Sequence, residues 1–410
     1  RDRRINFIDN QTAIENCRKS FGIENIVMDS GGYQAQSGYL TIEECYEFID
    51  EYVSFIKDHH QNFKYFFALD LIPDGLSEDE LMNMNENSFS KIANLPDDVK
   101  KKIIFIYHFF TPKVYEIWKT ITEKYFDQFS DYFAFGGLAA KDTTSISLPI
   151  AVFAIGIVQI VYNAKKRGMK KIKIHVLGAA SYRDIMLYQL YKAIIKKYHD
   201  VEIDITYDSS LVFKQIQKSR CINIIEDDFT NNLVSIKENI LKVKKVYRKI
   251  NNVDTFNTID EILKEKISKM LFDIDPKYVK IMDNFNVYEP KEDGSGVSLS
   301  RIFTLMSILF SGWQYNELEK RCYEYIMSQI HLLENDSFLF YDKISDILLK
   351  LNAGKLSHKF KDKVKYVRNT VECLIKLDTN YIDDIVNNFL TSAEIVDIKE
   401  VSSDIPVIDF

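Results

Sequence analysis

Asp29, Asp70, His108 and Asp208 each stand at the end of a short β-branched or aromatic run, namely Ile26–Met28, Tyr65–Leu69, Ile103–Tyr107 and Val201–Thr206. A carboxylate or imidazole at the tip of a strand is well placed for proton transfer, nucleophilic attack or hydrogen bonding to a substrate. The sharpest such segment is Asp29-Ser30-Gly31-Gly32-Tyr33-Gln34. Its two glycines permit a tight turn and close approach of backbone to a ligand, and the Tyr33 ring can cover a flat substrate. A simple Asx-turn accounts for the same residues equally well. In Phe135-Gly136-Gly137-Leu138-Ala139 exposed amides could donate to a carbonyl oxygen, or the glycines could serve only a turn.

Asp70 could bind substrate or cap the segment after it. Asp208, in Tyr207-Asp208-Ser209-Ser210 ahead of Leu211-Val212-Phe213, reads on its own more readily as a helix N-cap than as a reactive group. His175 is expected to face a wall or the core, whereas His108 stands at a strand end. Asp29, Asp70, His108 and Asp208 could in principle share a divalent metal, but no H-x-H or H-x-x-x-H pair supports that, and no metal or cofactor is expected.

These residues need elements to hold them. Strand-like runs recur at Ile26–Met28, Tyr65–Leu69, Ile103–Tyr107, Tyr132–Phe135, Ile172–Leu177 and Val201–Thr206, separated by helical patterns. Thr41-Ile42-Glu43-Glu44 is a capping box, Thr111-Pro112 starts a second helix, and Ser181 through Asp184 starts a third. Six βα units in series suit a doubly wound sheet or a (β/α)₈ barrel. Only a barrel gathers the polar strand ends into one ring, so a TIM-type barrel is the expected fold. Eight strands are needed and six are counted; if the other two precede Asp29, as the resemblance below implies, residues 1–20 are too few to hold both, and they are expected upstream of Arg1 or from elsewhere. Residues 1–230 are read as the barrel domain. Residues 231–410 are read as a mainly helical C-terminal region, with helical spacing at Leu233/Ile236/Ile240/Val243 and a loop at Pro290–Ser298.

The formal net charge of −7 shows no overall basic character, so nucleic-acid contact would need local patches. Such patches occur at Lys165–Lys173, at Lys242, Lys244, Lys245 and Arg248, and between Lys359 and Arg368, although a solvated helix face is the commoner meaning of such runs. The five cysteines, Cys17, Cys45, Cys221, Cys322 and Cys373, are odd in number and widely spaced, which argues against a disulfide framework or a cysteine zinc site. Reduced thiols and a cytoplasmic location are expected. The longest apolar run, Leu148–Tyr162, contains Pro149 and Gln159 and is too short to span a bilayer, so no membrane association is expected.

Taken in order, DSGGYQ, ALD, FGGLA, HVLG and TYDSS resemble the queuine/guanine transglycosylase family over about residues 26 to 213. The resemblance implies a (β/α)₈ enzyme exchanging guanine in a nucleic acid for a 7-deazaguanine. Asp208 would then be the nucleophile and Asp29 the general acid/base. Asp70 would accept from the N1–H and amino edge of the purine, the Gly137 amide would donate to its O6, and Tyr33 would stack on the ring. Ser30, Gly32, His108, Gly136 and Leu138 would complete the base site, with His108 standing where the family usually carries glutamine.

The chain lacks the C-x-C-x-x-C…His zinc module of the tRNA-acting members, and Ser209-Ser210 replace their proline- and arginine-containing stretch. Both departures favour a branch similar to the DNA 7-deazaguanine transglycosylases of phages and bacterial genomic islands, which would act in the host cytoplasm if phage-encoded. The expected partners are DNA, less readily tRNA, and the free base. Association with a second copy or a partner subunit is also expected if a barrel edge is open. The rival readings are a non-catalytic nucleic-acid-binding subunit and a metal-dependent barrel hydrolase.

Overall fold

A computed structural model of the chain describes residues 25–32, 35, 38–73, 75–109, 111–136, 147–178 and 182–208. Beyond these it describes strands at 223–225, 236–239, 288–290 and 297–299, and residues 315–316, 318–351 and 360–377. The first part alternates as β1 (Val27–Met28), α1 (Ile42–His59), β2 (Tyr65–Phe67), α2 (Glu78–Ala93), β3 (Ile103–Tyr107), α3 (Pro112–Tyr125), β4 (Tyr132–Phe135), α4 (Ser147–Lys166), β5 (Lys171–Val176), α5 (Tyr182–His199) and β6 (Glu202–Tyr207).

Local chemistry explains where these helices begin. Thr41 and Ser77 each form a full capping box, with Glu44 and Glu80 respectively, and Thr111 accepts from the Val114 amide ahead of Pro112. The Ser77 box and its helix α2 escaped the sequence reading.

The six strands are all parallel and hydrogen-bonded in chain order, β1-β2-β3-β4-β5-β6. A doubly wound sheet reverses its order at a switch point, and this one never does. Because crossovers of this kind are right-handed, an unreversed order lays every helix on the same face and leaves the other face free to curl inward. The curl is visible in side-chain contacts. The Phe67 and His175 rings lie 5.3 Å apart although β2 and β5 are three strands apart, a separation of about 14 Å in a flat sheet. Tyr65 of β2 likewise meets Tyr132 of β4, centroid to centroid, at 5.2 Å. The sheet is a half-barrel, with β1 and β6 at its edges among the described residues.

The pleat divides the core in two. Phe66, Ile103, Phe105, Tyr107, Phe133, Phe135, Ile172, Ile174, Val176, Ile203 and Ile205 belong to the large cluster shared with the helices. Phe67, Ile104, Ile106 and Ala134 form a separate inner cluster, flanked by Tyr65, Tyr132 and Leu177.

After β6 the described residues include two antiparallel pairs, Asn223–Ile225 with Ile236–Asn239 and Tyr288–Pro290 with Val297–Leu299. Residues 236–239 are therefore a strand and not part of the expected helix. The spacing of Ile236 and Ile240 places both on one face in either structure, so that signal did not discriminate. Of the expected loop at 290–298, Pro290, Val297 and Ser298 are instead strand residues of the second pair, with Pro290 opposite Val297, and 291–296 lie outside the described residues.

Residues 318–329 are helical, followed by α6 (Ser337–Leu351) and α7 (Phe360–Lys376). Helix α7 packs against α4 and α5 on the outside of the sheet, where His199 Nε2 donates to the Leu374 carbonyl at 2.6 Å. Helical spacing in the sequence also runs through 258–270, 301–310 and 381–390, all of which lie outside the described residues. Among the described residues no helix is long and apolar enough to cross a membrane.

Gly156 lets α4 lie directly on β4, since a Cβ there would stand 1.8 Å from the Phe135 ring. Gly156→Ala is expected to overpack this contact and destabilise the protein by about 1–3 kcal/mol. The check is a lower denaturant midpoint at unchanged slope.

Candidate active site

All the strand-end residues singled out in the sequence, where described, lie on the C-terminal rim of the half-barrel. They occupy two levels. Asp29 and Asp208 stand open at the mouth, while Asp70 and His108 are buried at its floor, 8% and 2% exposed.

The floor is built first. Beyond β2 the chain runs Ala68-Leu69-Asp70-Leu71, and its backbone is fastened to the neighbouring helices by buried side chains. Tyr52 of α1 donates to the Phe67 carbonyl and Ser88 of α2 to the Leu69 carbonyl, each at 2.7 Å. Asn85 of α2 accepts from the Leu71 amide at 3.0 Å and donates to the Leu71 carbonyl at 2.7 Å. Asp70 is therefore held by its own backbone and does not cap the following helix, whose N-cap is Ser77.

Its carboxylate is gripped on both oxygens, Oδ1 receiving the Ser30 hydroxyl at 3.2 Å and Oδ2 meeting His108 Nε2. His108 rests edge-on against Trp118 at 4.8 Å, and the Trp118 indole donates to the Ile106 carbonyl. Two glycines are required by this crowding. A Cβ on Gly32 would stand 2.2 Å from the Asp70 carbonyl oxygen, and one on Gly136 would stand 2.1 Å from the His108 ring. The glycines thus do more than form bends, because they let backbone lie directly on the buried acid pair.

At the mouth, Gly31 adopts φ +78 and its amide points to Asp29 Oδ1 at 3.5 Å, the Asx geometry that the sequence also allowed. Although Asp29 is exposed as a residue, its carboxyl is partly desolvated by the surrounding rim, and this desolvation first, then the nearby Asp70 and more weakly Asp208, push its pKa above the ordinary carboxylate value. Asp208 moves the other way. Burial raises it, but His175 and the Gly178 amide outweigh burial and hold it below the usual value. Gly178 N donates to Asp208 Oδ1 at 2.9 Å, and His175 Nε2 stands 3.4 Å from the same oxygen. His175 does not face a plain wall, as the sequence suggested. Its other nitrogen contacts Thr206 Oγ1 at 2.8 Å, which in turn meets the Tyr132 hydroxyl at 2.7 Å.

His175, Thr206 and Tyr132 were missed as site residues, although a signal existed. They share the parity of Asp208 along their strands, opposite to the helix-facing Ile174, Ile205 and Phe133. From outside, Tyr207 pins the end of β6. Its phenol is held protonated by burial and by its hydrogen bond to Glu319, and its ring lies 6.1 Å from that of Tyr315.

Tyr33, Gly137, Leu138, Lys242, Lys244, Lys245 and Arg248 lie outside the described residues. The basic stretch Lys165–Lys173 sits at the other end of the sheet, largely in internal pairs. There Arg167 meets Asp127 and Asp131, Lys170 meets Asp200, and Lys171 meets Glu202. Asp127, Asp131, Arg167 and Lys171 border an open groove of about 720 Å³ with Tyr65 and Tyr132. Such a charged, self-paired surface differs from a ligand pocket, and in barrels chemistry belongs to the opposite rim. Among the described residues no three His, Cys, Asp or Glu side chains are grouped to hold a metal ion. The chain matches no protein-family model, no curated protein and no solved structure.

Asn85→Ala would strand both polar groups of the Leu71 peptide and release the loop that carries Asp70. A loss of about 2–4 kcal/mol is expected, since two buried hydrogen bonds disappear. Hydrogen exchange should report it as loss of protection at Leu71, beyond that caused by any global destabilisation.

Proposed function

We propose that this chain exchanges guanine in a nucleic acid, DNA in preference to tRNA, for a 7-deazaguanine base by way of a covalent glycosyl-aspartate. The observation that carries the reading is a pair of open carboxylates on one rim, Asp29 raised and Asp208 lowered in pKa, standing over a buried Asp70. Opposed shifts of this kind suit an acid and a nucleophile, and they support the reading. The missing cysteine cluster and Ser209-Ser210 after Asp208 favour DNA within the same resemblance. The half-barrel would be completed to eight strands by two that precede β1 in the family's order.

In the first step Asp208 forms a bond to C1′ of the target nucleotide as the bond from C1′ to the purine breaks. The electron pair leaves with the base, which takes the proton of Asp29. The second step reverses this. Asp29, now a carboxylate, removes a proton from the incoming base, whose nitrogen attacks C1′ and returns the electron pair to Asp208. The target base must be unstacked to reach the floor, where Asp70 accepts from its N1–H and amino edge. Each Asp70 oxygen keeps a second lone pair for this after Ser30 and His108 are served. His108, covered by Gly136, acts through Asp70 and not on the base. Tyr33 and the Gly137 amide supply stacking and an O6 donor in this scheme.

Labelled guanine or 7-deazaguanine offered with DNA and with tRNA tests the proposal. Label should enter DNA and be lost by about 10⁴-fold or more in Asp208→Asn, the scale expected for removing a nucleophile. Unchanged exchange in that variant would refute the nucleophile. Activity abolished by a chelator would favour the metal hydrolase instead.

A second outcome follows from charge. The rate should rise with pH as Asp208 ionises and fall again as Asp29 loses its proton. Asp70→Asn removes a neighbouring negative charge that raises Asp29. The alkaline limb of kcat/KM should therefore move to lower pH, while the acid limb stays.

A further inference from the structure

Asp208 has two oxygens, and the described contacts from β5 fall on only one of them. The Gly178 amide donates to Oδ1 at 2.9 Å, and His175 Nε2 approaches the same Oδ1 at 3.4 Å. Behind His175 runs a short chain of hydroxyls, Thr206 Oγ1 at 2.8 Å from Nδ1 and Tyr132 Oη at 2.7 Å from Thr206 Oγ1. We propose that His175 is the positioning residue of the nucleophile, fixing Asp208 through Oδ1 and thereby leaving Oδ2 as the oxygen that bonds to C1′. This rests on the transglycosylase reading of the site and adds to it the attacking atom and the group that aims it.

The protons can be placed in only one way for a neutral ring. A carboxylate only accepts, so His175 Nε2 carries a hydrogen and Nδ1 must accept. Thr206 then donates its single hydrogen to Nδ1, and its oxygen accepts from Tyr132. Every group in the series donates once, which fixes the tautomer and the ring plane together. The Phe67 ring packs against that of His175, tilted by 52° at 5.3 Å.

When Oδ2 bonds to C1′, Oδ1 becomes the ester carbonyl oxygen and can still accept from Nε2–H and from Gly178. The two donors therefore hold the carboxyl through both halves of the exchange, and they favour its return to the ionised form as the leaving group of the second step. The charged and titratable groups facing Asp208 from the packed elements are His175 from β5 and Asp29 from beyond β1.

The test uses the full chain with His175→Phe, which keeps a ring and removes the donor, and His175→Gln, which restores an amide donor. Two readouts are taken, Asp208 carboxyl titration with His175 nitrogen shifts by NMR, and single-turnover exchange on DNA. In His175→Phe the Asp208 titration should move to higher pH, with the acid limb of kcat following it. The kcat should fall about a hundredfold at nearly constant KM, as for loss of one oriented donor. His175→Gln should recover most of both, and the wild-type ring should carry its hydrogen on Nε2.

A loss of activity with an unmoved Asp208 titration would make His175 merely structural and overturn the inference. An Nδ1–H tautomer would overturn it as well. A shifted titration in a wild-type protein that exchanges no base would refute the transglycosylase reading instead, and with it the assignment of Oδ2.

Discussion

In a parallel sheet whose strand order never reverses, all crossover helices share one face, and each strand must give alternate residues to that face. Here the obligation is met by Phe66, the odd-numbered residues from Ile103 to Tyr107, Phe133, Phe135 and the even-numbered residues from Ile172 to Val176. The remaining positions face inward, and at the end of each strand the last of them reaches the rim. His108, Gly136, His175 and Asp208 are all inward by this count, and the curl of the sheet brings them toward a common centre. A shift of one residue in any strand would send its rim group into the helical layer. The buried apolar face therefore enforces the geometry of the polar site, although no rim residue contributes much to the core.

The rim concentrates negative charge, and the structure deals with each carboxylate differently. Asp70 is immobilised at the floor, one oxygen on Ser30 and the other on His108, with its backbone tied to α1 and α2. Asp29 has no cation among its described influences, so burial and the charge of Asp70 favour its protonated form. Asp208 faces His175 and an amide, which favour its ionised form. A single fixed carboxylate thus has two effects. On the proposed chemistry it offers acceptors to a bound base, and it tunes the neighbour that would protonate that base on leaving. This economy explains why Gly32 must be a glycine, since the Asp29 loop has to lie directly on Asp70 for the charge to be felt.

Much of this was legible in the residues because it depends on short-range signals. The six strands fall within two residues of their expected limits, as each is a compact β-branched or aromatic run bounded by turn residues. The Thr41 box and Thr111-Pro112 start helices where expected. Helix α2 was overlooked because its moderate apolar pattern is interrupted by Asn83, Asn85 and Asn87, and one of these, Asn85, turns out to be a buried strut for Asp70. A polar residue serving the backbone fourteen residues earlier, beyond the preceding strand, leaves no mark on local periodicity. His175 was misjudged for a related reason. Its value lies in the register that sets it beside Thr206 and in a partner more than thirty residues away, neither of which a single strand reveals.

The inner face changes character across the sheet. From β2 to β4 it is apolar, with Phe67, Ile104, Ile106 and Ala134 packed together as in the filled interior of a barrel. On β5 and β6 the inward positions are Lys171, Lys173, His175, Glu202, Asp204 and Thr206, and the register sets Lys171 opposite Glu202 and Lys173 opposite Asp204. Opposite charges directly across a strand pair tolerate one another's company in water, but they do not pack as an apolar layer. The dry half of the interior therefore ends near Leu177, and a wet half begins. Asp70 and His108 stand above the dry half, with side chains 11% and 3% exposed, whereas Asp208 stands above the wet half at 60%. A flat base recognised at the dry floor and a sugar–phosphate chain kept in water would be accommodated by the two halves respectively. On the proposed chemistry, the boundary between them is where C1′ must lie, within reach of Asp208 on one side and with its base over Asp70 on the other.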